Sequence, residues 1–262
     1  MIIDLRTARI GAVLIALLAS PATGQAPQAR PDTLTHDEIK RIVRHLDDLY
    51  RSTSSYSVVE MQIVTPNWSR TLTMDAWTHG LDRMFIRITG PKKEEGVATL
   101  RIGSEMWNYL PRTDKIIKVP PSMMMSSWMG SDFTNDDLVK EFTLIDDYTF
   151  SEDADSSDAS VVRIRCVPKP GTPIVWGSVV IAVRRTGDIP VWERYYDEHG
   201  RLMRVLTYGD VREFGGRRLP STLTMAPENK EGHRTVIRYL QLEFDAGVKD
   251  EVFSLRNLRS GR

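Results

Sequence analysis

Residues 58–90, VVEMQIVTPNWSRTLTMDAWTHGLDRMFIRITG, decide the fold class. Val59, Met61 and Ile63 alternate with Val58, Glu60 and Gln62, and Pro66-Asn67 then marks a turn. Leu72, Met74 and Ala76 alternate with Thr71, Thr73, Asp75 and Trp77 until His79-Gly80, and Met84, Ile86 and Ile88 alternate with Arg83, Phe85 and Arg87 until Gly90-Pro91. Period-two alternation places one set of side chains on each face of a strand, and turns about a dozen residues apart join such strands as antiparallel hairpins.

The pattern continues along the chain. Strands are predicted near 97–102, 105–110, 115–119, 141–150, 161–167, 174–184, 190–197, 201–212, 219–226 and 233–243, with an acidic hairpin loop at 151–157. Because the strands follow one another by hairpins, the expectation is mainly β with flanking helices. A single large curved antiparallel sheet of about eleven strands fits better than a sandwich, and its concave side needs a cover. Two segments are available for that. Leu34-Thr35-His36-Asp37-Glu38-Ile39 carries a capping box, Thr35 with Glu38, and a staple, Leu34 with Ile39. Ile39, Ile42, Val43, Leu46 and Leu49 then form one helical stripe running to about Tyr50. The second segment, Ser122 to Asp137, is rich in methionine and serine and follows Pro120-Pro121, with one helical turn at Asn135–Leu138 capped by Thr134. Val252, Phe253, Leu255 and Leu258 suggest a last short helix over an edge or face.

The N-terminus reads as an export signal. Arg6 and Arg9 precede an apolar run from Ile10 to Ala19 and then Ser20, Pro21 and Ala22, a run too short to span a bilayer. The expected organisation is a signal peptide over 1–22, a disordered leader over 23–33 and one domain over 34–262. That predicts a periplasmic protein, soluble after cleavage. Residues 1–22 include Asp4, Arg6 and Arg9, so the remainder holds 33 basic and 34 acidic residues of the 35 and 35 in the whole chain. So even a balance gives no general attraction to nucleic acid. The one cysteine, Cys166, has no partner for an internal disulfide.

The residues do not point to catalysis. His36, His45, His79, His199 and His233 are scattered without zinc-ligand spacing. The acidic run from Glu152 to Asp158 lacks the glycine and closing glutamate of a calcium loop, and no Gly-x-Ser-x-Gly elbow or phosphate-binding loop occurs. Neither cofactor nor metal is expected, and the protein is read as a non-enzyme. What stands out is apolar supply: Trp68, Trp77, Trp107, Trp128, Trp176 and Trp192 accompany Met123, Met124, Met125 and Met129. No single periodicity buries three consecutive methionines on one face, so at least one should point elsewhere. A flexible methionine-rich flap over a concave sheet would make an adaptable apolar pocket.

Four stretches also resemble a known family: Gly96-Val97-Ala98-Thr99-Leu100, Met106-Trp107-Asn108-Tyr109-Leu110-Pro111, Lys115-Ile116-Ile117-Lys118-Val119, and Met129-Gly130-Ser131-Asp132-Phe133-Thr134-Asn135-Asp136-Asp137-Leu138. In order and spacing they resemble the outer membrane lipoprotein-sorting protein family, in the LolA-like superfamily of periplasmic lipoprotein carriers. The resemblance implies a half-open β barrel of about eleven strands with a helical lid. It also implies a carrier or chaperone that holds lipid or lipoprotein acyl chains without chemistry, serving outer membrane biogenesis. Membrane-bound donor or acceptor proteins would be its partners. A non-enzymatic envelope sensor or regulatory protein-binding module of the same fold is the alternative. Trp77, Trp107, Tyr109, Met123, Met124, Met125, Trp128 and Phe133 are the candidate residues of the hydrophobic cavity or its lid.

Overall fold

The computed structural model describes residues 34–140, 144–153, 158 and 160–260. The segments read as export signal and leader lie outside these residues.

Helix α1, His36–Asp48, begins as its sequence dictates. The Thr35 hydroxyl accepts a hydrogen bond from the Glu38 amide, and the Glu38 carboxylate accepts one from the Thr35 amide at 2.8 Å. Leu34 and Ile39 are buried together with Ile42 and Val43, so the staple and the stripe face one core. The helix stops at Asp48, two residues short of the expected end, and Leu49 and Tyr50 turn toward another part of the sheet.

Six strands follow: β1 Ser54–Val64, β2 Ser69–His79, β3 Arg83–Gly90, β4 Ala98–Ile102, β5 Glu105–Leu110 and β6 Lys115–Lys118. After an interval of short helices come seven more: β7 Tyr148–Glu152, β8 Val161–Pro168, β9 Ser178–Arg184, β10 Pro190–Tyr196, β11 Leu202–Phe214, β12 Arg217–Pro227 and β13 Arg234–Phe244. All belong to one antiparallel sheet of 13 strands in the order β6-β5-β4-β3-β2-β1-β13-β12-β11-β10-β9-β8-β7. The sheet class agrees with the expectation, but the strand number corrects it from about eleven to 13, since every alternating segment forms its own strand. Two boundaries differ as well. Residues 144–147 of the expected 141–150 strand are helix α3, Leu144–Asp147, and only Tyr148 onward joins the sheet. The expected 174–184 strand begins at Ser178.

This order has a direct consequence. Every neighbouring pair except β1 with β13 is made of consecutive strands, so the chain builds two meanders that meet where its last strand joins its first. The two sheet edges, β6 and β7, are therefore also consecutive in sequence. The segment between them contains 3-10 turns at Pro121–Met123 and Trp128–Gly130, α2 Asn135–Lys140 and α3. It lies with α1 on the inner face of the sheet. That face carries Val59, Met61 and Ile63 of β1, Leu72 and Met74 of β2, and Met84, Ile86 and Ile88 of β3, packed with Trp128, Leu138 and Val139. A separate core occupies the outer face, where Phe85, Ala98, Leu100 and Tyr109 pack against Phe253 and Leu258. The latter two come from the C-terminal turn and helix α4, Leu255–Ser260. Arg87 fixes that helix by donating to the carbonyl of Asn257 at 2.8 Å. This is the last short helix expected from Val252, Phe253, Leu255 and Leu258.

If the reciprocal cap sets the start of α1, Thr35→Ala lowers stability by about 1 kcal/mol without changing the fold. Urea unfolding followed by circular dichroism would read this as a lower midpoint at unchanged slope.

Candidate functional site

Between the inner face of the sheet and its two covers lies a cavity of about 210 Å³. Side chains from nine of the strands reach it, among them Val59, Met61, Met74, Ala76, Met84, Ile86, Leu223, Met225 and Ile237. Leu46 of α1 closes it together with Leu49 and Tyr50 just after the helix, and Trp128, Phe133, Leu138 and Leu144 close it from the segment between β6 and β7. Mostly aliphatic and sulfur-bearing walls of this kind suit an apolar ligand. The volume is below the usual 300–1,000 Å³ of sites for drug-sized ligands, so a long ligand needs the cover to shift.

The cover is apolar beneath and tied down by polar contacts at its rim. The Trp128 indole donates to the Thr99 hydroxyl on β4 at 3.1 Å, and Thr99 donates to Asn108 on β5 at 2.7 Å. Met129 and Gly130 both take positive φ, 54° and 74°, which turns the Met129 carbonyl onto the Arg70 guanidinium of β2. Asp132 and Thr235 of β13 bond reciprocally, hydroxyl to carboxylate at 2.7 Å and amide to hydroxyl at 2.9 Å. Thr134 caps α2 by accepting from the Asp137 amide, while the Asp137 carboxylate accepts from the Thr134 amide at 2.7 Å. The same carboxylate receives two bonds from Arg204 of β11, at 2.5 and 2.8 Å. Residues 128–137 are thus anchored to four strands, β2, β4, β11 and β13.

The eight residues singled out from sequence divide. Trp128 and Phe133 line the cavity. Met124 packs against the inner core from the cover, while Met123 and Met125 are exposed on it, at 51% and 42%. Trp77, Trp107 and Tyr109 are placed elsewhere: all three join the outer-face core with Phe85, Phe253 and Leu258. The reason is register. Met106 and Asn108 take the inner face of β5, which sends Trp107 and Tyr109 outward, and Ala76 takes the inner face of β2 beside Trp77. Trp77 stacks at tilted angles on Tyr56 and Phe85, with centroids 5.5 and 5.6 Å away.

Sequence reasoning missed a polar cluster on the cavity wall. Glu193 of β10 accepts hydrogen bonds from the hydroxyls of Tyr195, at 2.5 Å, and Tyr208 of β11, at 2.7 Å. Arg204 lies between the rings of Trp176 and Tyr195, 4.5 and 4.3 Å from their centroids. Tyr195 stands directly opposite Arg204, and Glu193 opposite Leu206, so alternate residues of two paired strands make the group. A usable signal was present in the alternation of Arg204, Leu206 and Tyr208, which puts a charge on an apolar face.

Burial pushes the Glu193 carboxyl upward, partly offset by the two tyrosine hydroxyls and Arg204. It also pushes the Tyr195 and Tyr208 hydroxyls well up, with the Glu193 charge adding to the effect. Asp47, on α1, is 3% exposed and raised to about 7 by burial, although backbone amides of Ile145 and Leu144 partly stabilise its charge. The buried Cys166 thiol is pushed up by the same loss of solvent. Among the described residues, no group of His, Cys, Asp and Glu is arranged to hold a metal ion, and no helix is long and apolar enough to cross a membrane.

A carboxyl raised by folding holds its proton more tightly in the folded state. Its contribution therefore lowers stability as pH rises from about 4 to about 7, with no further change above. For Asp47 this makes the wild type about 2–3 kcal/mol less stable at pH 8 than at pH 5. Asp47→Asn should remove that difference when the two are compared by denaturant unfolding at both pH values.

Solved structures with the same architecture are known. A DUF1329 family protein from Desulfovibrio piger superposes with a TM-score of 0.75 at 22% identity, covering 85% of this chain and 98% of that one. An outer membrane lipoprotein-sorting protein domain from Vibrio parahaemolyticus gives 0.73 at 19%, covering 84% and 97%. A LolA superfamily protein from Nitrosomonas europaea gives 0.70 at 18%, covering 86% and 99%. No curated protein sequence matches the chain. The resemblance carried by residues 96–138 thus holds for the fold. A protein-family model described only as “-like: Uncharacterized protein” matches residues 80–260, well over half of the chain, so the chain belongs to that family, and its fold is the one shared by these LolA-like proteins.

Proposed function

We propose that the protein is a non-enzymatic carrier or chaperone of the bacterial periplasm that holds acyl chains of a lipid or lipoprotein in the covered cavity. The observation that carries this reading is the cavity itself: a continuous lining of Val59, Met61, Met74, Met84, Ile86 and Ile237 opposite a separately anchored cover. Transfer of apolar surface into such a space contributes about 0.8 kcal/mol per methylene. A chain of a dozen methylenes gains roughly 10 kcal/mol before the cost of ordering the chain and displacing the cover is subtracted. Release then requires a partner that opens the cover or offers a better apolar site, which is why membrane-bound donor or acceptor proteins belong to the proposal. In this reading residues 1–22 act as an export signal that directs the carrier to the periplasm. The likeness to a lipoprotein-sorting domain supports the reading through the fold.

The test is uptake of a fluorescent acyl probe by protein purified without detergent. Ala76 lines the cavity with a small side chain, so Ala76→Trp fills space the ligand needs. The wild type should bind with micromolar or tighter affinity, and the variant should bind at least about tenfold more weakly while keeping its circular dichroism spectrum. Equal binding by both would place the ligand outside the cavity, and no binding by either would shift the assignment to a protein-binding envelope module.

A further inference from the structure

The cavity is not uniform. Beneath β1, β2, β3, β12 and β13 its wall is mainly aliphatic and methionine, with the uncharged Ser55, Ser57, Thr78 and Tyr239 among it, whereas toward β7, β10 and β11 it meets Tyr148, Glu193, Tyr195 and Tyr208. Asp47, Asp136, Asp137 and Glu193 line it as acids, against Arg51 as the basic side chain of the lining. Arg204, just behind, is engaged by both oxygens of Asp137 and enclosed by Trp176 and Tyr195. An independent observation at this end concerns Asp47. At 3% exposed, it lines the same cavity with its Oδ2 held by the Ile145 amide, while its other oxygen, Oδ1, has no hydrogen-bond partner. Asp47 is bonded to Ile145, three residues before Tyr148, and Tyr148 and Glu193 line the same cavity. Each of the Glu193 oxygens takes one tyrosine bond, and a carboxylate oxygen can accept a second.

Resting on the carrier reading, we infer that this end of the cavity is a head-group subsite for an amphiphile whose polar head donates hydrogen bonds through hydroxyl groups. Glu193 and Asp47 are its acceptors, and the apolar end takes the chain. A free carboxylate head is selected against there. It would bring a third acid beside two others in a poorly solvated space, and like charges so placed cannot all ionise without cost. A hydroxyl head adds no charge and satisfies the unpartnered Asp47 oxygen.

The experiment compares two probes of equal chain length, 1-dodecylglycerol and dodecanoate, displacing a fluorescent acyl probe from the full chain at pH 8, where dodecanoate is ionised. The wild type should prefer dodecylglycerol by about tenfold or more. Glu193→Gln and Asp47→Asn should each narrow that preference to about threefold or less, mainly through tighter dodecanoate binding. Equal or tighter binding of dodecanoate by the wild type overturns the inference while leaving the carrier reading intact. An unchanged preference in both variants also overturns it. Should Glu193→Gln fail to fold, the wild-type ratio and Asp47→Asn still decide. Failure of both probes to bind at all would remove the carrier reading, and the subsite with it.

Discussion

The structure depends on one topological constraint: the two edges of its sheet, β6 and β7, are neighbours in sequence. A sheet built from two meanders that join at β1 and β13 leaves its open edges far apart along the strand order. The chain has to cross from one to the other between Lys118 and Tyr148. Crossing the inner face satisfies two needs together. Leu138, Val139 and Trp128 gain a core to pack on, and the apolar face of the sheet is shielded from water without a second sheet. The edges themselves are short, four and five residues, and β6 begins and ends with lysine. Those features discourage pairing with another chain's strands.

A cover formed in this way differs from an ordinary core element. Its underside is apolar, but its fixed points are polar and lie at discrete places: Thr99, Arg70, Thr235 and Arg204. The Gly130-Ser131-Asp132-Phe133-Thr134 stretch that carries the family resemblance performs this anchoring. Gly130 takes a positive φ beside Arg70, Ser131 donates to the Trp128 carbonyl, Asp132 bonds Thr235, and Thr134 caps α2. Only Phe133 of the five faces the cavity. Discrete polar ties over an apolar space allow a cover to be released and re-formed as a unit, whereas a fully interdigitated core resists such movement.

Much of this was legible in the sequence. Alternation in β1, β2 and β3 grouped Met61, Met74 and Ile86 each with its own face of the strand, although on β2 the opposite face, with Trp77, was expected to look inward, and the capping box identified the start of α1. The cover was recognisable because its composition broke the period-two pattern. Two things were not legible. The first was which face of β5 looks inward, since Met106 and Trp107 are both large and apolar. The deciding contact, α4 against Leu100 and Tyr109, comes from about 150 residues further along the chain. The second was the polar cluster, because Glu193 and Arg204 look like ordinary surface charges until strand pairing sets Arg204 opposite Tyr195. Aromatic residues were weighted toward the ligand, yet Trp77, Trp107 and Tyr109 hold the C-terminal helix, while Met61, Met74 and Met225 line the space.

The central claim is that an amphiphile occupies the space between the cover and the inner face of the sheet. Photo-crosslinking with a diazirine-bearing acyl chain, followed by peptide mass spectrometry, tests it most directly. The account predicts adducts on Met61, Met74, Met84, Leu223, Met225 and Ile237 that are suppressed by unlabelled ligand. Adducts concentrated on the outer face, at Trp77, Trp107 and Tyr109, would contradict it.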